Sequence, residues 1–127
     1  GDYLAISPLE MFYSNYISGL HTLLLLDLDP TGMGFDPPKP MQPYQAFEVL
    51  KAMVKKFLDE KGMKESLQIP VEEWDAILIS DIGTDSQRVA SGNLADLAEL
   101  QGGWIHTLIL PSEMSLNERE AYERRLL

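Results

Sequence analysis

There is no cysteine among the 127 residues, which excludes disulfides, zinc–thiolate sites and a thiolate nucleophile together. Such usage fits a cytoplasmic protein. Long apolar runs are missing as well. The longest, Leu23 to Leu26 with its immediate neighbours, falls far below the roughly 20 residues of a membrane-spanning helix, so no membrane association is expected. Nor does the opening GDYLAISPLEMFYSNY carry the basic start and apolar centre of a signal sequence; it begins abruptly, as if a longer protein had been cut at a linker. Basic residues are few, 10 Lys and Arg against 20 Asp and Glu. The net charge of −10 repels a phosphate backbone and argues against nucleic-acid binding. No Gly-x-Ser-x-Gly elbow, Walker loop or Gly-x-Gly-x-x-Gly fingerprint occurs.

What is present describes an ordinary globular domain, with 45% hydrophobic and 24% charged residues. One core is expected at this length, burying roughly two-thirds of the surface that the unfolded chain exposes. Apolar spacing predicts a first helix from Pro8 to Ile17 closed by Gly19, and a long one from Pro43 to Lys61 closed by Gly62. Aliphatic runs predict strands in LHTLLLLDLD, in Asp75 to Ile82 and in WIHTLILP. A weak strand candidate is SLQIP. Another short strand is expected near Arg88 to Ala90, a turn at ASGN, and a helix across Leu94 to Leu100. Ser115 to Glu118 reads as a capping box that opens a last helix near Leu116. Strands separated by helices along the whole chain predict a single α/β domain, a mixed sheet flanked by helices. Between Pro30 and Pro40, four prolines and two glycines predict a long irregular connection, of a length that is commonly functional.

Two local patterns suggest chemistry. The two histidines head nearly identical phrases, LHTLLLL at Leu20 to Leu26 and IHTLILP at Ile105 to Pro111. The plain reading of each is an imidazole hydrogen-bonded at the start of a buried strand. LLLLDLDPTG, with Asp27 and Asp29, resembles the nucleophile loop of haloacid-dehalogenase-type phosphatases, and Asp81 and Asp85 in ILISDIGTD resemble their magnesium loop. Against that reading, Pro30 removes a backbone N–H where phosphate needs donors. The two histidines lack a third ligand at helical spacing, so no metal site is expected.

A broader likeness spans nearly the whole chain. PLEMFYSNYISGLHTLLLLDLD, MQPYQAFEVL, ILISDIGTDSQRVASGNLADL and IHTLILP occur in that order, and together they resemble the C-terminal half of diphthine synthase. That family consists of S-adenosylmethionine-dependent methyltransferases of the tetrapyrrole-methylase fold. The resemblance implies two α/β domains with the methyl donor in the cleft between them, and therefore an N-terminal methyltransferase domain as partner. It also implies a homodimer and elongation factor 2, with its modified histidine, as protein substrate. Matched by motif, Leu25 and Leu26 correspond to the donor-contacting strand end, Ile82 and Gly83 to the turn after the second strand, and His106 to the histidine beside the donor. His21 falls in a family motif but reads as structural. One departure is SDIG at Ser80 to Gly83, where the family usually has Ala-Arg-Ala-Gly. The chain is then a fragment or a stand-alone relative, inactive without its other half; the alternatives are a non-catalytic interaction module of the same fold and the phosphatase.

Overall fold

Three aliphatic segments and a more polar fourth pair into one sheet, in the order β1-β4-β2-β3. They are β1 (Thr22–Leu25), β2 (Asp75–Ser80), β3 (Arg88–Asn93) and β4 (His106–Leu110). The computed structural model describes residues 4–26 and 40–127. Every named strand pair is antiparallel, so the named strands do not form the mixed sheet expected from the sequence; a parallel pairing occurs as an isolated bridge from Ser91 to Leu126. The helices are α1 (Ser7–Ile17), α2 (Pro43–Lys61), α3 (Leu94–Ala98) and α4 (Leu116–Arg124). The α/β layering expected from the sequence is therefore present.

Alternation along the strands divides the sheet into two unlike faces. On the inner face, Leu24, Leu108, Leu78 and Ala90 stand side by side across all four strands. They pack into a core with Leu9, Phe12 and Tyr13 of α1, Leu50, Met53 and Phe57 of α2, and Leu94 and Leu97 of α3. Aromatic rings close the middle of that core, where Phe12 lies 4.9 Å from Trp74 and Tyr13 meets Phe57 edge-on at 5.0 Å. The outer face carries two rows, Leu23–Ile109–Ile77–Ser91 and Leu25–Thr107–Ile79–Val89. Among the described residues, α4, with no buried residue of its own, lies over it.

Local chemistry sets most of the boundaries. After α1, Gly19 takes φ +75°; its N–H donates to Tyr16 O, and that of Leu20 donates to Asn15 O at 2.8 Å, the paired closure that lets a helix stop on a left-handed glycine. Pro43 begins α2 and Gly62 ends it. At α4, Ser115 Oγ accepts from Glu118 N and Glu118 Oε1 accepts from Ser115 N, a complete capping box. Two further expectations are corrected. SLQIP forms no strand, because Ser66 Oγ bonds back to Met63 O and Pro70 leads into a 3₁₀ turn at Val71–Glu73. ASGN is not a turn but the end of β3, since Ser91 and Gly92 pair with Ile77 and Ala76 while Ser91 also bonds the chain end at Arg125 and Leu127.

Candidate functional site

The five positions marked by motif, Leu25, Leu26, Ile82, Gly83 and His106, fall together at one end of the sheet. There β1 and β2 finish and β4 starts. Leu25 pairs with Thr107, and Leu26 N donates to His106 O at 3.0 Å. Ser80 pairs with His106 from the other side, and Ile82 and Gly83 follow it in the turn to β3. Their exposure differs. Leu26 is buried and belongs to the core, whereas Leu25 and Ile82 face solvent.

His106 points inward and is 1% exposed. Its Nδ1 lies 2.8 Å from Ser80 Oγ and its Nε2 3.2 Å from Gln42 Oε1. An amide oxygen only accepts, so Nε2 carries the ring proton, and the Ser80 hydroxyl donates to Nδ1. Arg88, beside Ser80 on the inner face, donates from Nη2 towards the same hydroxyl at 3.5 Å and from Nη1 to Gln101 O at 2.8 Å. Burial holds the imidazole below its ordinary pKa, against the opposing pull of the Asp81 charge, and Arg88 pushes it down further. The ring is thus a neutral, fully bonded strut, while its carbonyl belongs to the strand end.

Asp81 explains half of the SDIG departure. It occupies φ +52°, the one non-glycine at positive φ among the described residues. Its N–H donates to Ile105 O at 2.7 Å, and its Oδ1 accepts from the N–H groups of Trp104 and Ile105, each at 2.9 Å. A short carboxylate tolerates that backbone, because it supplies the bonds that hold the loop. Those bonds, from Ile105 first and then Trp104, keep its carboxyl below the usual range. Ser80 explains the other half, as the partner of His106. Gly103 completes the fit: at φ +83°, a Cβ there would sit 2.9 Å from His106 Cε1 and 3.3 Å from Ser80 Cβ. The sequence reading missed this assembly of Gln42, Ser80, Asp81, Arg88 and Gly103. Its local signals were the SDIG departure at Ser80 to Gly83 and the Gly102-Gly103 pair just ahead of a strand.

His21 stands elsewhere. Its Nδ1 accepts from Ser112 N at 3.0 Å and its Nε2 lies 2.9 Å from Glu118 Oε2, tying the start of β1 to α4. Asp27 and Asp29 lie outside the described residues. Asp81, the first acid of the supposed magnesium loop, is spent on backbone N–H groups, and no group of three metal-capable side chains gathers among the described residues.

No protein-family model matches this chain, and no curated protein sequence does. Solved structures do. A putative diphthine synthase from Entamoeba histolytica superposes with a TM-score of 0.74 at 22% identity, over 95% of this chain and 44% of its own. A structure described as diphthine synthase gives 0.73 at 21%, over 98% and 41%. A conserved hypothetical protein from Aeropyrum pernix K1 gives 0.73 at 22%, over 97% and 40%. The chain has a diphthine-synthase-like fold, similar to the C-terminal domain of that enzyme. It spans less than half the length of these structures. Among the described residues, no helix is long and apolar enough to cross a membrane.

Proposed function

We propose that this chain is the C-terminal half of an S-adenosylmethionine-dependent methyltransferase, and that its sheet end forms one wall of the donor cleft. The observation that carries the reading is the convergence of the five motif-matched positions on one sheet end, within a fold shared over nearly the whole chain. Methyl transfer from a sulfonium needs alignment and the exclusion of water rather than a protein nucleophile. The residues present suit that task. Leu25 and Ile82 offer exposed apolar surface, and Gly83, at φ +81°, has nothing within 4 Å of where a Cβ would stand, so a ligand could approach its backbone closely. The cofactor, S-adenosylmethionine, supplies the methyl group when bound. His106 contributes its backbone and the stiffness of its buried ring, not an acid or base. On this reading a second domain closes the cleft, elongation factor 2 is the protein substrate, and the assembled enzyme is a cytoplasmic homodimer.

The test is calorimetric titration of S-adenosylhomocysteine into the protein with a methyltransferase N-terminal half supplied. Saturable binding that Ile82→Glu removes is the expected result; no binding refutes the proposal. A second reading, an interaction module that kept the fold without a donor site, is favoured by one observation, the complete internal bonding of the His106 ring. Under that reading, the other half still associates but donor binding is absent.

A further inference from the structure

The outer sheet face holds a feature that the donor-cleft reading does not use. Between it and α4 lies a cavity of about 740 Å³. Its walls are apolar: Ile77, Val89 and Ile109 from the sheet, Met114 from the loop before α4, and Ala121 from the helix. Its roof is fixed at both ends. At one, His21 holds Glu118; at the other, Ser91 Oγ bonds Tyr122 O, Ser91 N bonds Arg125 O at 3.0 Å, and Leu127 N bonds Ser91 O at 2.9 Å. A recess with apolar walls offers an apolar molecule surface to bury. The volume lies within the range of ordinary small-molecule sites, roughly 300–1,000 Å³. A roof pinned at both ends leaves room for a slender molecule rather than a helix or strand.

Charge selects among slender molecules. Arg124 and Arg125 line the cavity at the C-terminal end of α4, and among the described residues neither is in an ion pair. Two adjacent guanidiniums without an acidic partner among the described residues stand out on a chain of net charge −10. Glu118, the acid on the lining, sits at the opposite end and is already engaged by His21 and Ser115 N. We propose that this cavity binds a medium-length aliphatic chain ending in a carboxylate, with the chain against the Ile77–Ile109 wall and the head group at Arg124 and Arg125.

The experiment titrates decanoate, and separately decyltrimethylammonium, into the protein by calorimetry. Decanoate is expected to bind saturably at one site, and the cation of equal chain length to bind at least roughly tenfold more weakly. Ala121→Trp, which fills the cavity from the roof, is expected to abolish decanoate binding, with circular dichroism reporting the fold. Should that variant not fold, Ala121→Leu is expected to weaken binding in the same direction. Replacing Arg124 and Arg125 by Gln is expected to reduce affinity roughly tenfold and to flatten its salt dependence. The inference is overturned if decanoate shows no saturable binding, if both amphiphiles bind alike, or if filling the cavity leaves affinity unchanged. It is overturned equally if decanoate fails to bind while the protein self-associates and Ala121→Trp disrupts that association, because a second copy would then occupy this face.

Discussion

From the sequence, His106 was legible as a histidine at the head of a strand and, by motif, as the one beside the donor. What it does there depends on residues 26 positions before it and 64 positions before it, Ser80 and Gln42. A spacing rule cannot see partners chosen by sheet pairing, so the direction of the ring emerged only with the register. Its burial has a consequence for stability. The folded-state pKa lies below the ordinary 6.5, so folding favours the neutral ring. Stability from this group is complete above about pH 6.5 and is lost as pH falls, because the unfolded chain takes up the proton first. The urea midpoint is expected to drop between pH 7 and pH 5.5, above the range where most carboxylates titrate. In His106→Gln that slope should flatten, at a cost near pH 7.5 of about 1–3 kcal/mol for the polar partners left unmatched. A slope unchanged by the substitution would mean that another group carries the dependence.

Among the elements, the helices announced themselves best and the β3 edge of the sheet worst. Pro43 and Gly62 bracket α2 as read from the sequence, and Ser115 with Glu118 forms the expected capping box. These signals are local, complete within three or four residues. By contrast, β3 runs through Ser91-Gly92-Asn93 with little apolar patterning, because what holds its outer edge is the chain end some 35 positions later. The sheet direction was likewise hidden, since antiparallel order depends on which runs meet rather than on the runs themselves. The same late contact makes α4 testable as an element. Tyr122 rests against Ser91 through its carbonyl, and its hydroxyl donates to Asp75 Oδ1 at 3.3 Å. Desolvation, the Asp75 charge and that hydrogen bond push its pKa up to about 12. A raised folded pKa means that the unfolded chain ionises first. The stability Tyr122 contributes is therefore present below about pH 10 and is lost between about pH 10 and 12. Ultraviolet titration should show Tyr122 ionising late, as burial also makes Tyr13 do, and Tyr122→Phe should remove one late component; a late component unchanged by that substitution would show that the Tyr122 hydroxyl is not held at Asp75 of β2.

At the scale of the whole molecule, one group of uncovered apolar side chains stands at the sheet end that holds the motif-matched positions. Leu25 is 64% exposed, Ile82 65%, Trp104 60% and Ile105 40%, and all four sit where β1 and β2 end and β4 begins. Single exposed apolar residues need no explanation, but four at one sheet end form a patch of the kind that marks an interaction site. The Asp81 carboxylate fixes the backbone beneath two of them, so the patch is presented rather than merely left over. That arrangement yields a prediction independent of any methyl donor. The chain has two tryptophans, of which Trp74 is buried in the core and Trp104 is in the patch. In the chain alone, acrylamide should quench Trp104 readily and Trp74 poorly, with Trp104→Phe assigning the accessible component. When a methyltransferase N-terminal half is joined to the chain, Trp104 emission should shift to shorter wavelength and its quenching should fall towards that of Trp74. If Trp104 stays as accessible as before, the other half does not cover this sheet end, and the cleft must be sought on another surface.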